Sequence, residues 1–157
     1  MKTTLCFLLL SVVAFAADEL PKPCVFCGIA TGEVVAPVVW RDESVVASMD
    51  RAPRNPGHVL IIPVRHADNY LEARPEDLEK MIVLAQRVGR AIKRTDLKAD
   101  GIQVLMNTGK AAGQSVFHAH LHIIPRFPEE LPQKSPGDVV PPEQLGIVAA
   151  KIRAALL

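Results

Sequence analysis

Residues Gly113-Gln114-Ser115-Val116-Phe117-His118-Ala119-His120-Leu121-His122-Ile123-Ile124-Pro125-Arg126 alternate three imidazoles with apolar side chains. Val116, Phe117, Ile123 and Ile124 favour a strand. On a strand, side chains alternate faces, so His118, His120 and His122 are expected on one face. Histidine serves as nucleophile, general acid–base or metal ligand near neutral pH. Three unpartnered imidazoles would be costly to bury, and three exposed ones would give up core surface. The row therefore reads as a reactive centre.

Working outward, Val38-Val39-Trp40-Arg41 and Val45-Val46-Ala47-Ser48-Met49 read as strands around the turn Asp42-Glu43-Ser44. Asp50 to Gly57 is a loop, and His58-Val59-Leu60-Ile61-Ile62-Pro63 is an apolar strand. A helix is predicted from Pro75 to about Lys93: proline suits its first turn, Glu76, Asp77 and Glu79 suit the positive end of its dipole, and Leu78, Ile82, Ala85, Val88 and Gly89 recur at helical spacing. Ile102 to Asn107 is a further strand, and Thr108 to Ser115 a loop. Glu129 to Pro142 is proline-rich and polar. Glu143 to Leu157 fits an amphipathic helix with Leu145, Val148, Ile152 and Leu156 on one side. The expected class is α+β: an antiparallel sheet of about five strands, one main helix and a C-terminal helix.

The 157 residues suit one domain, and with 49% apolar but only 4% aromatic residues the core must be built from aliphatic side chains. Lys2, the apolar run Leu5–Val13 and the small-x-small pattern Ala14-Phe15-Ala16 read as a signal peptide over residues 1–16. The apolar run is well short of the ~20 residues of a spanning helix. Cleavage near Ala16 predicts a secreted or periplasmic protein with no membrane anchor. Removing Lys2 from 18 basic residues leaves 17, against 17 acidic ones, so the mature chain is formally neutral. Neutrality argues against a nucleic-acid partner. The expected division is 17–128 for the domain and 129–157 for the proline-rich segment and terminal helix.

A second constellation involves Cys24-Val25-Phe26-Cys27, a tight two-thiol turn, with His58 and His66 outside the triad. Two thiolates at this spacing suit tetrahedral zinc if two distant histidines complete the site, with His66 and His118 as candidates. In an oxidising compartment the same pair suits a disulfide. A thiol-exchange role lacks the accompanying βαβ pattern. Spacing alone leaves zinc and disulfide equal.

The run His118 through Ile124 matches His-x-His-x-His followed by two apolar residues. Together with Met49-Asp50, Gly57 through Pro63, Asn107-Thr108-Gly109 and Gly113 through His118, it resembles the histidine-triad (HIT) family over Cys24 to about Phe127. The likeness is to the Hint-like branch more than to the branch cutting dinucleoside polyphosphates. It implies hydrolysis or transfer at the α-phosphate of purine nucleoside phosphoramidates or related nucleotides. His120 is then the nucleophile, His122 and His58 contact the phosphate, and Ser115 donates toward the leaving group. Backbone amides around Gly113 and Gln114 bind phosphate, Asn107 lies near the ribose–phosphate, and Asp50 accepts from the ribose. Val25, Phe26 and Ile29 flank the base. The resemblance favours a structural zinc ion on Cys24, Cys27, His66 and His118, which requires His118 to lean away from its neighbours. It also implies a homodimer paired through the main helix and adjoining strand.

Two other readings compete. The fold could bind nucleotides or a protein without catalysis. Alternatively, His118, His120 and His122 could together hold a catalytic zinc with an open water position, which leaves Gly113-Gln114-Ser115 and the two cysteines without a role.

Overall fold

The computed structural model describes residues 24–128 and 137–156. The signal-peptide reading of residues 1–16, and residues 129–136 of the proline-rich segment, lie outside them. Five strands, β1 (Val38–Arg41), β2 (Val45–Met49), β3 (Val59–Pro63), β4 (Gly101–Leu105) and β5 (Leu121–Arg126), form one sheet in the order β1-β2-β3-β5-β4. All four pairings are antiparallel. Three helices accompany the sheet: α1 (Val25–Thr31), α2 (Pro75–Arg94) and α3 (Pro142–Leu156). This is the expected α+β architecture. No helix among the described residues is long and apolar enough to cross a membrane.

The turn between β1 and β2 is closed by Asp42, whose Oδ1 accepts from the backbone N–H of Ser44 at 2.8 Å and of Val45 at 2.9 Å. β2 and β3 are buried along their whole length, because both faces of the sheet are covered. Val45, Ala47, Val59, Ile61, Leu121 and Ile123 face the main core with α2 and α3. The alternate residues Leu60 and Ile62 face a smaller cluster built on Phe26 of α1. His120 and His122 alternate with Leu121, so they lie on the face opposite the main core.

α2 begins at Pro75, with Glu76 and Asp77 in its first turn and Lys93 and Arg94 in its last, matching its dipole. Its inward stripe is Met81, Leu84, Ala85, Val88 and Ile92. Ile82, expected on that stripe, is 54% exposed. The stripe is set by Met81 and Leu84, one turn-position away. On α3, Leu145, Ala149 and Ile152 are buried. The Cys24–Cys27 turn is instead the start of a helix: Cys24 is the N-cap of α1 and Cys27 sits in its first turn.

Candidate functional site

The triad does not lie on one strand. β5 begins at Leu121, and the three preceding residues bow out of the sheet. The reason is local. β3 ends at Pro63, which has no N–H to continue the ladder. The Ala119 N–H instead donates to Ala67 O at 2.7 Å, outside the sheet. His118 therefore leaves its neighbours. Its Nε2 lies 2.9 Å from Pro63 O. A carbonyl can only accept, so Nε2 carries the proton and Nδ1 carries the lone pair.

That Nδ1 points at a group of four donors, Cys24, Cys27, His66 and His118, whose ligand atoms all lie within 4.8 Å of one another. His66 Nε2 is 2.9 Å from Asp68 Oδ1, so its proton sits on Nε2 and its Nδ1 is also a bare lone pair. The two Nδ1 atoms are 3.3 Å apart with no proton between them. The His118 Nδ1 is 3.6 Å from Cys24 Sγ and 3.5 Å from Cys27 Sγ. A tetrahedral zinc ion with ordinary bond lengths sets N–N edges of about 3.3 Å and N–S edges of about 3.6 Å. Burial and the Cys24 thiol push the Cys27 thiol up to about 11, so Cys27 keeps its proton near neutral pH unless a cation binds beside it. Both cysteines are free thiols. The donor set fits zinc.

The other two triad residues face a cavity of about 640 Å³ together with His58. A chain of hydrogen bonds fixes every proton in this group. The Arg54 backbone N–H donates to His58 Nδ1 at 3.2 Å, so His58 carries its proton on Nε2. That proton is donated to His122 Nδ1 at 3.0 Å. His122 must then carry its own proton on Nε2, which is buried with no hydrogen-bond partner among the described residues. His120 Nδ1 is 2.7 Å from His118 O and must donate to it, leaving the Nε2 lone pair free. The outcome is one bare nitrogen and one N–H beside it, on rings whose centroids are 4.9 Å apart. The edge of the Phe26 ring packs on His120 at 4.9 Å.

Burial keeps these rings neutral. It lowers His120, with partial compensation from the His118 carbonyl and the Asp50 charge. Burial, then the charges of Arg54 and Arg126, lower His58 to about 3. Burial and the neighbouring His120 and His58 lower His122 to about 3. A neutral ring is what an attacking nitrogen requires.

The remaining predicted residues divide. Asp50, Asn107, Gly113 and Ser115 line the cavity with Val25, Phe26 and Ile29. The Asp50 carboxylate accepts from the Ala52 N–H at 2.9 Å and lies 3.4 Å from His58 Nδ1. Asn107 Nδ2 donates to Gly113 O at 3.5 Å. The amides assigned to phosphate are spent internally: Gly113 N–H donates to Lys110 O at 2.9 Å and Gln114 N–H to Gly109 O at 3.1 Å. Gln114 is 3% exposed. Its side chain accepts from Gly109 N–H and donates to the carbonyls of Asp68 and Val116. Gln114 is thus a brace between the two histidine groups, because the loop turns back through Lys110–Ala112 to close on itself. The three triad imidazoles also do not converge on one metal position, since His118 belongs to the cysteine group and His122 to a group with Asp50 and His58.

Three features escaped the sequence reading. Asp68 orients His66, and asking where the second nitrogen of His66 finds a partner would have found it two residues away. Arg51 and Arg54 line the cavity, with no local motif to mark them. So do Val139, Val140, Pro142 and Leu145, which are far from the triad in sequence.

Known proteins resemble this chain in sequence and fold. An uncharacterised HIT-like protein of Saccharolobus solfataricus is 39% identical over 107 residues, covering 68% of this chain and 76% of its own length. The crystal structure of a hypothetical histidine triad nucleotide-binding protein from Sulfolobus tokodaii superposes with a TM-score of 0.76 at 34% identity, covering 85% of this chain and 91% of that one. That of a zinc-bound histidine triad family protein from Mycobacterium smegmatis gives a TM-score of 0.75 at 36% identity, covering 85% and 92%. The HIT domain family matches residues 31–129, and with these relatives it establishes that the chain belongs to the HIT family.

Proposed function

We propose that this protein is a nucleotide hydrolase or nucleotidyl transferase of the Hint-like type, acting at the α-phosphate of a nucleoside phosphoramidate or related nucleotide. The observation that carries this reading is the fixed proton arrangement, a free Nε2 lone pair on neutral His120 beside a buried Nε2–H on His122. In the first step the His120 nitrogen forms a bond to phosphorus while the bond to the leaving group breaks. The leaving group departs with a proton taken from solvent, while the Ser115 hydroxyl at the cavity donates a hydrogen bond to it. The His122 Nε2–H donates to a phosphate oxygen as negative charge develops there. In the second step water attacks phosphorus and gives up a proton to solvent, the P–N bond breaks to restore the neutral His120 ring, and the nucleoside monophosphate leaves. Asp50, which lines the cavity, accepts from the ribose hydroxyls in this reading. The nucleotide-binding relative from Sulfolobus tokodaii supports a nucleotide as ligand.

Cys24, Cys27, His66 and His118 would hold structural zinc, and the zinc-bound relative supports that assignment. When bound, the ion supplies cross-linking between α1 and the lead-in to β5. The reading includes export with cleavage near Ala16, checked by the mass of the secreted chain. It also includes a homodimer, supported by the sheet-edge position of β4 and by exposed Val104, Ile82 and Val83; sedimentation velocity measures it.

Rapid quenching with adenosine phosphoramidate, followed by intact mass and peptide mapping, tests the central step. The expected result is one adenylate on His120. Turnover without any adduct in wild type, or an adduct in His120→Ala, would overturn it.

A further inference from the structure

The family match ends at residue 129, yet the cavity does not. Val139, Val140, Pro142 and Leu145 line the same cavity as Phe26 and Ile29 of α1. We infer that residues 139–145, beyond the residues that the HIT domain family matches, form a fixed apolar wall of the nucleotide pocket and select ligands by the size of the base. This rests on the proposed nucleotide chemistry and deepens it.

The wall is held at several points. The Val140 N–H donates to Arg51 O at 2.9 Å, on the loop that also carries Asp50. Upstream, Gly137 packs so closely that a Cβ there would stand 2.3 Å from Pro53 O, which admits only glycine without a shift of the backbone. Downstream, Leu145 is 5% exposed within the main core. α3 is tied further along by Arg153 donating to Val38 O and by Lys151 on Asp96 at 2.7 Å. A segment anchored on both sides presents its side chains in a set position.

What it presents is apolar. None of these four side chains can donate or accept a hydrogen bond. These side chains therefore cannot read the polar edge of a base, and adenine and guanine look alike to them. It can discriminate only by contact area and by exclusion, which separates two-ring from one-ring bases. Val139 is 63% exposed although it lines the cavity, so apolar surface is held at the rim for a ligand to cover.

The test uses the full chain with matched adenosine, guanosine and uridine 5′-phosphoramidates, and calorimetry with the three nucleoside monophosphates. Wild type is expected to accept the two purine donors with KM values within about threefold of each other and the uridine donor with a higher KM. Val139→Trp, at an exposed position that tolerates substitution, is expected to raise purine KM at least fivefold and uridine KM less, with kcat within twofold. Val139→Asp is expected to weaken all three monophosphates. The melting temperature of each variant separates misfolding from a changed wall. Purine and uridine KM values that stay at wild-type levels in both folded variants would overturn the wall. Wild type that neither turns over a donor nor binds a monophosphate would overturn the parent reading and this one with it.

Discussion

His118 and His120 stand two residues apart and do opposite work. Both are buried, and burial lowers the basicity of both. What separates them is the carbonyl each one meets. His118 gives its Nε2 proton to Pro63 O and turns a bare Nδ1 to the thiols, whereas His120 gives its Nδ1 proton to His118 O and turns a bare Nε2 to the cavity. One nitrogen faces two thiols and the Nδ1 of His66, a donor set that fits zinc. The other faces open space beside an N–H, where an electrophile can enter. Backbone acceptors thus convert a repetitive sequence into two different centres, joined through the backbone of His118.

The sharpest way to separate the centres is to delete the reacting ring alone. His120→Ala is expected to lower kcat/KM at least 1,000-fold, about 4 kcal/mol of barrier, because the covalent route is lost. Zinc content and fold should persist. A variant within tenfold of wild type would mean that His120 is not the nucleophile.

Deleting the metal side should do the reverse. Cys27→Ser, or prolonged chelation, is expected to lower stability by about 2.7 kcal/mol, the contribution of zinc at roughly 100 times its dissociation constant. α1 carries both Cys27 and the Phe26 ring that lies against His120, so KM should rise while the residual kcat stays near wild type. Thermal melts with and without chelator, paired with KM, report this. Immediate loss of kcat on chelation with the fold intact would make the ion catalytic.

Much of this was legible beforehand because it follows from periodicity and local chemistry. The strands around Asp42-Glu43-Ser44, α2 between Pro75 and its basic last turn, and the alternation of Leu121 with His120 and His122 all stand in the structure. The face of α2 was misjudged at Ile82, since Met81 offers an equally apolar start to the stripe. The divergence of His118 depends on Pro63 and Ala67, which the chain brings close only by folding. The partners of the Gly113 and Gln114 amides depend on the same kind of closure: in the folded loop those N–H groups meet the carbonyls of Lys110 and Gly109. The apolar wall at 139–145 is a tertiary feature with no motif to announce it.

Acid should weaken the reacting side. His58 and His122 are held at about 3 in the folded chain, against about 6.5 when unfolded. Lowered histidine values mean that the unfolded chain takes up protons the folded one refuses. Stability is therefore complete above about pH 6.5 and falls as the pH drops toward 3. At pH 5.5 the loss is about 1.4 kcal/mol for each ring. Urea unfolding at pH 7.5 and 5.5 measures it, and His58→Gln should flatten the slope by one ring. An unchanged midpoint between the two pH values would place these rings in contact with water.

The smallest effect isolates orientation from ligation. Asp68 touches no candidate metal position; it accepts the Nε2 proton of His66 at 2.9 Å and so keeps Nδ1 bare. Asp68→Ala leaves all four ligands present but frees the His66 ring to rotate or change tautomer. Removing such a partner costs about tenfold in metal affinity at the low end of its usual range, which suits a carboxylate that is 53% exposed. Competition against a chromogenic chelator measures that shift. Turnover of the zinc-loaded variant should match wild type, because the protons on His58, His122 and His120 are set by Arg54 N–H and His118 O, none of which Asp68 touches. A parallel fall in kcat would show that the two centres share more than the backbone of His118.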